Sequence, residues 1–113
     1  MRKDGKLDYI EMQAGDGTID SVKSFYAAAF GWTFTDYGPS YSAFDEGLDG
    51  GFDGAAGSGA KPLPVLFSTD LEASLAAVQD AGGRILKPIY GFPGGRRFHF
   101  ADPAGNELAV WAE

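Results

Sequence analysis

Residues 98–106 read FHFADPAGN, an apolar alternation that runs directly into a cluster of turn-forming residues. Pro103 fixes its own φ angle, Gly105 can adopt a positive φ, and the side chains of Asp102 and Asn106 can bond to turn amides. The flanking residues 96–101 and 107–111 alternate between apolar and polar side chains. Because a period of two is typical of strands, the stretch predicts two strands joined by a tight turn.

The elements before this turn are predicted from the same kinds of pattern. Residues 71–81 place apolar side chains on one side of a helix that starts at Asp70 and ends at Gly82-Gly83. Strands are predicted at 64–68, before this helix, and at 84–90, after it. The second half of the chain is therefore predicted to contain a strand, a helix and three strands.

The first half predicts the same order of elements. A strand over 7–13 precedes an amphipathic helix over 19–30, which is capped by Asp16 or Thr18 and ended by Gly31. Aromatic-rich runs at 32–37 and 41–45 predict a hairpin, and the glycine-rich stretch 47–59 predicts a short, poor strand around Phe52 and then a flexible loop.

The two halves also align with each other. Phe30-Gly31-Trp32 matches Gly82-Gly83-Arg84, 52 residues later, and Tyr9 matches Leu63 in register. A repeat of this length indicates two copies of one structural unit. We predict one domain over residues 1–113, with βαβββ modules at about 7–58 and 62–112.

The composition excludes several classes of partner and site. Sixteen acidic and nine basic residues give a formal net charge of −7, which disfavours nucleic acid and anionic membrane surfaces. No apolar run approaches the ~18–20 residues of a membrane span, and residues 1–6 are too polar to begin a signal peptide. The chain has no cysteine, so disulfides and thiolate sites are excluded. We therefore expect a cytoplasmic protein.

Histidine is the scarcest titratable residue. His99 is the single histidine of the sequence, so a metal site with two histidine ligands cannot form within one chain. A Ser-His-Asp triad would have to include His99. Sixteen carboxylates leave open a metal site made of oxygen ligands.

Both halves of the chain carry short motifs in a fixed order and spacing. They are Tyr9-Ile10-Glu11-Met12 with Asp16, Phe25-Tyr26, Phe30-Gly31-Trp32, Thr69-Asp70-Leu71-Glu72, Ala81-Gly82-Gly83 and the strand and turn over 98–106. These motifs resemble those of the vicinal oxygen chelate superfamily, which includes glyoxalase I, bleomycin-resistance proteins and extradiol dioxygenases. The resemblance implies an α+β fold of two βαβββ modules that form one curved mixed sheet around a cleft, and it implies a homodimer.

The resemblance also indicates what has happened to the metal site of the superfamily. The positions of three ligands fall at Tyr9, Leu63 and Ala109, and the fourth falls within 51–53, where Asp53 could occupy it. Leucine and alanine have no donor atom. The resemblance therefore implies a protein without the metal site of its relatives, and we expect no cofactor.

Alternation identifies the residues that line the predicted cleft. Phe98, Phe100, Leu108 and Val110 are assigned to the helix-side core, as are Ile10 and Met12. The opposite face then carries Tyr9, Glu11, Arg97, His99 and Trp111, with Tyr41 or Trp32 as further contributors. Aromatic rings with a few polar groups are the usual lining of a small-molecule pocket.

The polar residues of the predicted cleft can each be interpreted in two ways. Glu11 and His99 are candidate acid–base catalysts, since His titrates near neutral pH and burial can raise the pKa of a carboxyl. Alternatively, His99 is bonded to a neighbour such as Glu11 or Tyr9, and Glu11 pairs with Arg97. Arg96 or Arg97 could hold a carboxylate or phosphate of a ligand.

We therefore predict a small-molecule-binding protein without a metal, for an aromatic or amphipathic ligand. The alternative is a glyoxalase-like lyase or isomerase that uses Glu11 and His99, with any metal held by other ligands. The acidic stretch 45–53 lacks the spacing of a calcium loop and is interpreted as a solvated loop.

Overall fold

The computed structural model describes residues 2–14, 18–54 and 61–113. The chain divides into two compact units, which we describe separately. The N-terminal unit contains residues 9–62, and the C-terminal unit contains residues 63–113 together with the residues before Tyr9. Within the described ranges, neither helix is long and apolar enough to cross a membrane.

The N-terminal unit contains one helix and a mixed sheet. The elements are β1 (Leu7–Gln13), which enters this unit at Tyr9, α1 (Ile19–Phe30), β2 (Thr35–Asp36), β3 (Tyr41–Asp45) and β4 (Asp49–Asp53). The strand order is β2-β3-β4-β1, with β1 parallel to β4 and the other pairs antiparallel.

The C-terminal unit repeats this topology. Its elements are β5 (Leu63–Phe67), α2 (Leu71–Asp80), β6 (Arg84–Phe92), β7 (Gly95–Ala101) and β8 (Glu107–Ala112). The strand order is β6-β7-β8-β5, and β5 is parallel to β8 just as β1 is to β4. The α+β class and the repeat of a strand, a helix and three strands are therefore confirmed.

The turn between β7 and β8 forms around one carboxylate, as predicted. Asp102 Oδ1 accepts from the backbone N–H groups of Ala104 and Asn106, each at 2.9 Å, and Asn106 Nδ2 donates to Asp102 Oδ2 at 2.9 Å. These hydrogen bonds lower the pKa of Asp102 below its ordinary value. Gly105 has a φ of 90°, which an L side chain rarely adopts.

Helix α1 has the predicted bounds. Thr18 and Ser21 form a capping box, in which Thr18 Oγ1 accepts from Ser21 N at 3.0 Å and Ser21 Oγ accepts from Thr18 N at 2.8 Å. The alternative cap, Asp16, lies outside the described residues. Two members of its predicted apolar side, Phe25 and Phe30, are 58% and 67% exposed.

The predicted strand over 32–37 is shorter than expected, because its first residues pack against the helix instead. The backbone N–H of Trp32 donates to Tyr26 O at 3.3 Å, and the Trp32 ring stacks on Tyr26 and contacts Phe44. Trp32 therefore lies in the aromatic core of the N-terminal unit, and its assignment as a cleft residue was wrong. Phe34 and Phe52 complete this core.

The stretch 45–53 is a regular strand over much of its length rather than a solvated loop. Asp49–Asp53 pairs with β1 on one side and β3 on the other. Its glycines are needed for close packing, because an added Cβ at Gly50 would overlap the Phe44 ring and one at Gly51 would overlap the Tyr41 ring. Residues 55–59 of the predicted flexible loop lie outside the described residues.

The core of the C-terminal unit confirms the predicted faces of its last two strands. Phe98 and Val110 are buried with Leu71 of α2, and Phe100 packs against the same cluster. Because strand side chains alternate, the intervening residues of β7 and β8 lie on the opposite face of the sheet.

Candidate functional site

The face of the C-terminal unit opposite α2 carries three of the six predicted site residues. Arg97 pairs across the strands with Trp111, and His99 pairs with Ala109. Two bulges in β6 place Lys87 opposite His99 and Tyr90 opposite Arg97. We call this surface the C-terminal face and define it by Tyr90, Phe92, Arg97, His99, Glu107 and Trp111.

His99 is buried, with 3% of its surface exposed, and both ring nitrogens have partners. Nε2 lies 2.8 Å from the Tyr90 hydroxyl, and Nδ1 lies 2.8 Å from Glu107 Oε2. His99 is therefore bonded to neighbouring side chains, as one interpretation of the sequence expected, but its partners are Tyr90 and Glu107 rather than Glu11 or Tyr9. Because its nitrogens are occupied and its ring is covered, His99 has no direct access to a bound molecule.

The environment of His99 favours the neutral imidazole. Burial lowers its pKa from 6.5, and the positive charges of Arg97 and Lys87 lower it further, against the opposing effect of Glu107. The Glu107 side chain is 48% exposed, and a carboxylate can only accept a hydrogen bond. Nδ1 therefore donates to Glu107, which leaves Nε2 as the acceptor for the hydroxyl proton of Tyr90.

Arg97 contacts the other side of Tyr90. Its Nε donates to the Tyr90 hydroxyl, and its guanidinium carbon lies 5.5 Å from the Tyr90 ring centroid and 5.6 Å from that of Phe92. The neighbouring Arg96 lies on the helix side, where it forms an ion pair of 2.7 Å with Glu72. Of the two arginines, Arg97 is the one on the C-terminal face.

Trp111 is oriented by the N-terminal residues of the chain. Its indole Nε1 donates to Asp8 Oδ2 at 2.9 Å, and the guanidinium of Arg2 lies 5.0 Å from its ring. Phe67 makes an edge contact with the indole at 5.3 Å, and Phe92 lies 6.3 Å away. Trp111 is therefore part of an aromatic surface that continues to Arg97.

The N-terminal unit carries the other three predicted residues on β1 and β3. The hydroxyls of Tyr9 and Tyr41 are hydrogen-bonded to each other. Burial raises the pKa of Tyr9 above 10.0, and the negative charges of Glu11 and Asp49 raise it further. Glu11 lies opposite Gly51 in the strand register. That Glu11 shares a cleft with His99, and that it pairs with Arg97, stay predictions.

A pocket of about 500 Å³ adjoins Tyr9 in this unit. Its lining includes the carboxylates of Asp45 and Asp49 and the hydroxyls of Thr33, Thr35 and Tyr37. The sequence interpretation missed this pocket, because Gly50 of β4 also lines it and the glycines of this stretch had indicated a poor strand. The pocket is a concave surface with carboxylates and hydroxyls.

The residues at the metal-ligand positions implied by the resemblance do not fit a metal ion. Leu63 is 7% exposed and Ala109 is fully buried, and neither has a donor atom. Tyr9 corresponds to Leu63, so Glu11, two residues later, corresponds to Val65. Val65 pairs with Ala109 and Glu11 pairs with Gly51 in the strand register. The fourth ligand position therefore falls at Gly51 rather than at Asp53. The Tyr41 ring occupies the space beside Gly51. Within residues 2–14, 18–54 and 61–113, no three His, Asp or Glu side chains converge.

Sequence reasoning missed two residues of the C-terminal face, Tyr90 and Glu107, as partners of His99. Simple alternation through β6 would not place Lys87 and Tyr90 on one face, and the two bulges correct this. Alternation in β8 places Glu107 on the same face as Trp111, but nothing in the sequence indicated its bond to His99.

Comparison with known proteins supports the fold seen in both units. A family model described as Glyoxalase/Bleomycin resistance protein/Dioxygenase superfamily matches residues 6–110. A search of curated proteins found no match.

Solved structures of low sequence identity share the fold. A structure described as an NAD-dependent benzaldehyde dehydrogenase from Legionella pneumophila matches with a TM-score of 0.73 at 12% identity, over 92% of this chain and 96% of that chain. A superfamily member from Vibrio splendidus 12B01 matches with a TM-score of 0.72 at 16% identity, over 96% and 100%. The Mn(II)-bound glyoxalase from Novosphingobium aromaticivorans matches at 0.67 and 20% identity, over 99% of this chain but 40% of its own.

Proposed function

Because the chain belongs to the Glyoxalase/Bleomycin resistance protein/Dioxygenase superfamily, we propose that it binds a small molecule without a metal ion. The proposed ligand is aromatic or amphipathic and carries a negative group. The proposal concerns the C-terminal face, where a cation and several rings lie together.

The position of Arg97 among aromatic side chains carries this proposal. Its guanidinium lies over Tyr90 and Phe92, and Trp111 lies opposite it in the strand register. A guanidinium attracts carboxylates and phosphates, and neighbouring ring faces contribute apolar area. An anion with an aromatic or alkyl body satisfies both parts of the surface.

The chemistry of the ligand positions supports binding without a metal. Leu63, Ala109 and Gly51 supply no side-chain donor, and a divalent cation needs several nitrogen, oxygen or sulfur ligands. We therefore derive no step through a metal ion.

Calorimetric titration with benzoate, with benzylamine as the cationic control, tests the proposal. We expect saturable binding of benzoate and none of benzylamine. Arg97→Gln should weaken benzoate binding by about tenfold or more, as expected for one lost charge-assisted hydrogen bond. Arg96→Gln is the matched control, since the adjacent side chain lies on the other face with Glu72, and it should leave the affinity unchanged.

Two results would contradict this function. One is the absence of saturable binding for benzoate, phenyl phosphate and octanoate alike, which together cover aromatic and alkyl anions. The other is an equal loss of affinity in the Arg96 and Arg97 variants, which would mean that overall charge rather than the C-terminal face attracts the ligand.

The enzymatic alternative, a lyase or isomerase that uses Glu11 and His99, has one supporting observation. His99 is held in its neutral form between two hydrogen-bonding partners, which is the state of a proton acceptor. The homodimer and the cytoplasmic location also remain proposals, and the exposed rings of Phe25 and Phe30 on α1 support an interface.

A further inference from the structure

We propose that Tyr90, His99 and Glu107 form a proton relay, and that the Tyr90 hydroxyl is the group that exchanges a proton with a molecule bound on the C-terminal face. This activity goes beyond binding. It does not depend on the identity of the ligand, because the relay lies within the C-terminal unit itself.

The order of the relay follows from the hydrogen bonds. Glu107 accepts from His99 Nδ1 at 2.8 Å, so Nε2 has the free lone pair and accepts from Tyr90 at 2.8 Å. A carboxylate, an imidazole and a hydroxyl in this order form the arrangement that activates a hydroxyl in hydrolases. Here the hydroxyl is a phenol.

Exposure identifies Tyr90 as the end of the relay that meets the ligand. His99 is 3% exposed, whereas Tyr90 is partly exposed and lies beside Arg97. A proton that moves between a bound molecule and His99 therefore passes through the Tyr90 oxygen. Tyr90 is the proposed catalytic residue, and His99 and Glu107 act through it as positioning and proton-accepting residues.

Each product of proton transfer lies beside one group of opposite charge. When the Tyr90 O–H bond breaks, its proton forms a new N–H bond at His99 Nε2, which gives a phenolate and an imidazolium. Arg97 stabilises the phenolate, and Glu107 stabilises the imidazolium. Lys87 also faces His99, and its positive charge keeps the imidazole neutral before transfer.

The phenolate then takes a proton from the bound molecule, which restores the phenol and leaves the ligand with the electron pair. The net result is one proton moved from ligand to His99, with no change of oxidation state. The suitable substrates are weak acids, such as a compound with a C–H bond beside a carbonyl group. When the same groups return the proton to a different atom of the ligand, the C–H bond forms at a new position and an isomerisation is complete.

Labelling with phenylmethylsulfonyl fluoride tests the relay without a known substrate. The Tyr90 oxygen attacks sulfur, an S–O bond forms as the S–F bond breaks, fluoride leaves and the phenolic proton passes to His99. Peptide mass spectrometry measures the rate at each tyrosine. We expect Tyr90 to react at least ~10-fold faster than Tyr37, although Tyr37 is 67% exposed, because general-base assistance typically contributes 10²-fold or more.

Conservative variants test whether the reactivity of Tyr90 comes from the relay or from the exposure of its hydroxyl to the reagent. His99→Gln keeps hydrogen-bonding groups but cannot accept the proton, so Tyr90 should then react at the rate of Tyr37. Glu107→Gln keeps a hydrogen-bond acceptor without the charge and should give an intermediate rate. If Tyr90 reacts no faster than Tyr37 in the original protein, or keeps its rate in His99→Gln, the relay is refuted.

Nitrogen NMR of the single histidine provides a second measurement that does not depend on the His99→Gln variant. The relay predicts a neutral ring at about pH 7.5 with its proton on Nδ1 and with Nε2 unprotonated. Tyr90→Phe should shift the Nε2 resonance, because that nitrogen loses its hydrogen bond. A ring protonated on Nε2 would reverse the direction of the bond to Tyr90 and contradict the proposal, even if His99→Gln does not fold.

Discussion

Arg96 and Arg97 are adjacent in β7, and strand geometry gives them different environments. The Arg96 guanidinium pairs with Glu72 in the first turn of α2, and this exposed pair lowers the pKa of Glu72 below its ordinary value. Arg97 instead lies against Tyr90 and Phe92. A one-residue shift in a strand exchanges one face of the sheet for the other, so a single arginine carries the proposed affinity for anions.

The burial of His99 makes stability depend on pH. Its pKa is lower in the folded chain than the ordinary 6.5, so the unfolded chain binds the proton more readily and acid favours unfolding. The unfolding free energy should be constant above about pH 7.5 and fall as the pH decreases through 6.5 toward the folded pKa.

Urea unfolding between about pH 7.5 and about pH 5.5 measures this effect, in a range above the ordinary titration of carboxyl groups. His99→Gln should remove most of the slope. The linkage is wrong if the variant keeps the slope, or if the original protein becomes more stable on acidification.

Among the elements, both helices could be predicted well, whereas β2 and β4 were predicted poorly and the bulges of β6 were not predicted. The bounds of α1 follow from Thr18 and Gly31, because local capping groups decide where a helix begins and ends. β4 and β6 depend on neighbours that the local sequence does not indicate. Gly50 and Gly51 favour a loop by propensity, but contacts with Phe44 and Tyr41 require glycine in the strand.

The candidate site could be predicted only in part, because it also depends on contacts between strands that the local sequence does not indicate. Regular alternation in β7 and β8 placed Arg97, His99 and Trp111 on one face, and the register agrees. The partners of His99 were missed because the bulges in β6 shift its register, so that Tyr90 lies opposite Arg97 rather than opposite Gly95. A hydrogen bond between strands depends on such register shifts, which the pattern of one strand does not contain.

Replacing Gly51 tests the close packing that fills one of the implied ligand positions. Gly51→Ala should displace the Tyr41 ring, break its hydrogen bond to Tyr9 and cost about 1–3 kcal/mol of unfolding free energy, the range for overpacked sites. Gly91→Ala is the matched control in a strand, where an added Cβ has 3.9 Å to its nearest neighbour. Chemical denaturation of both variants compares them, and equal stabilities would show that Tyr41 does not occupy the space.

Across the whole molecule, the two units share one strand topology, but neither unit carries a metal-ligating side chain at the implied position of its last strand. Each unit has a parallel pair between its first and last strand, β1 with β4 and β5 with β8. The paired positions hold Gly51 in one unit and Ala109 in the other, so neither last strand offers a carboxylate there. The net charge of −7 adds a general repulsion for anions, which makes a local cation necessary for the proposed ligand.

The metal content of the protein tests the central claim most directly. The protein would be purified without chelators, incubated with Mn²⁺, Ni²⁺ and Zn²⁺, dialysed and measured by elemental mass spectrometry. Because the implied ligand positions hold Leu63, Ala109 and Gly51, we expect less than ~0.1 equivalent of any of these metals per chain and benzoate binding that is unchanged by the treatment. About one tightly held equivalent per chain would contradict the account, since a metal ion would then be part of the site.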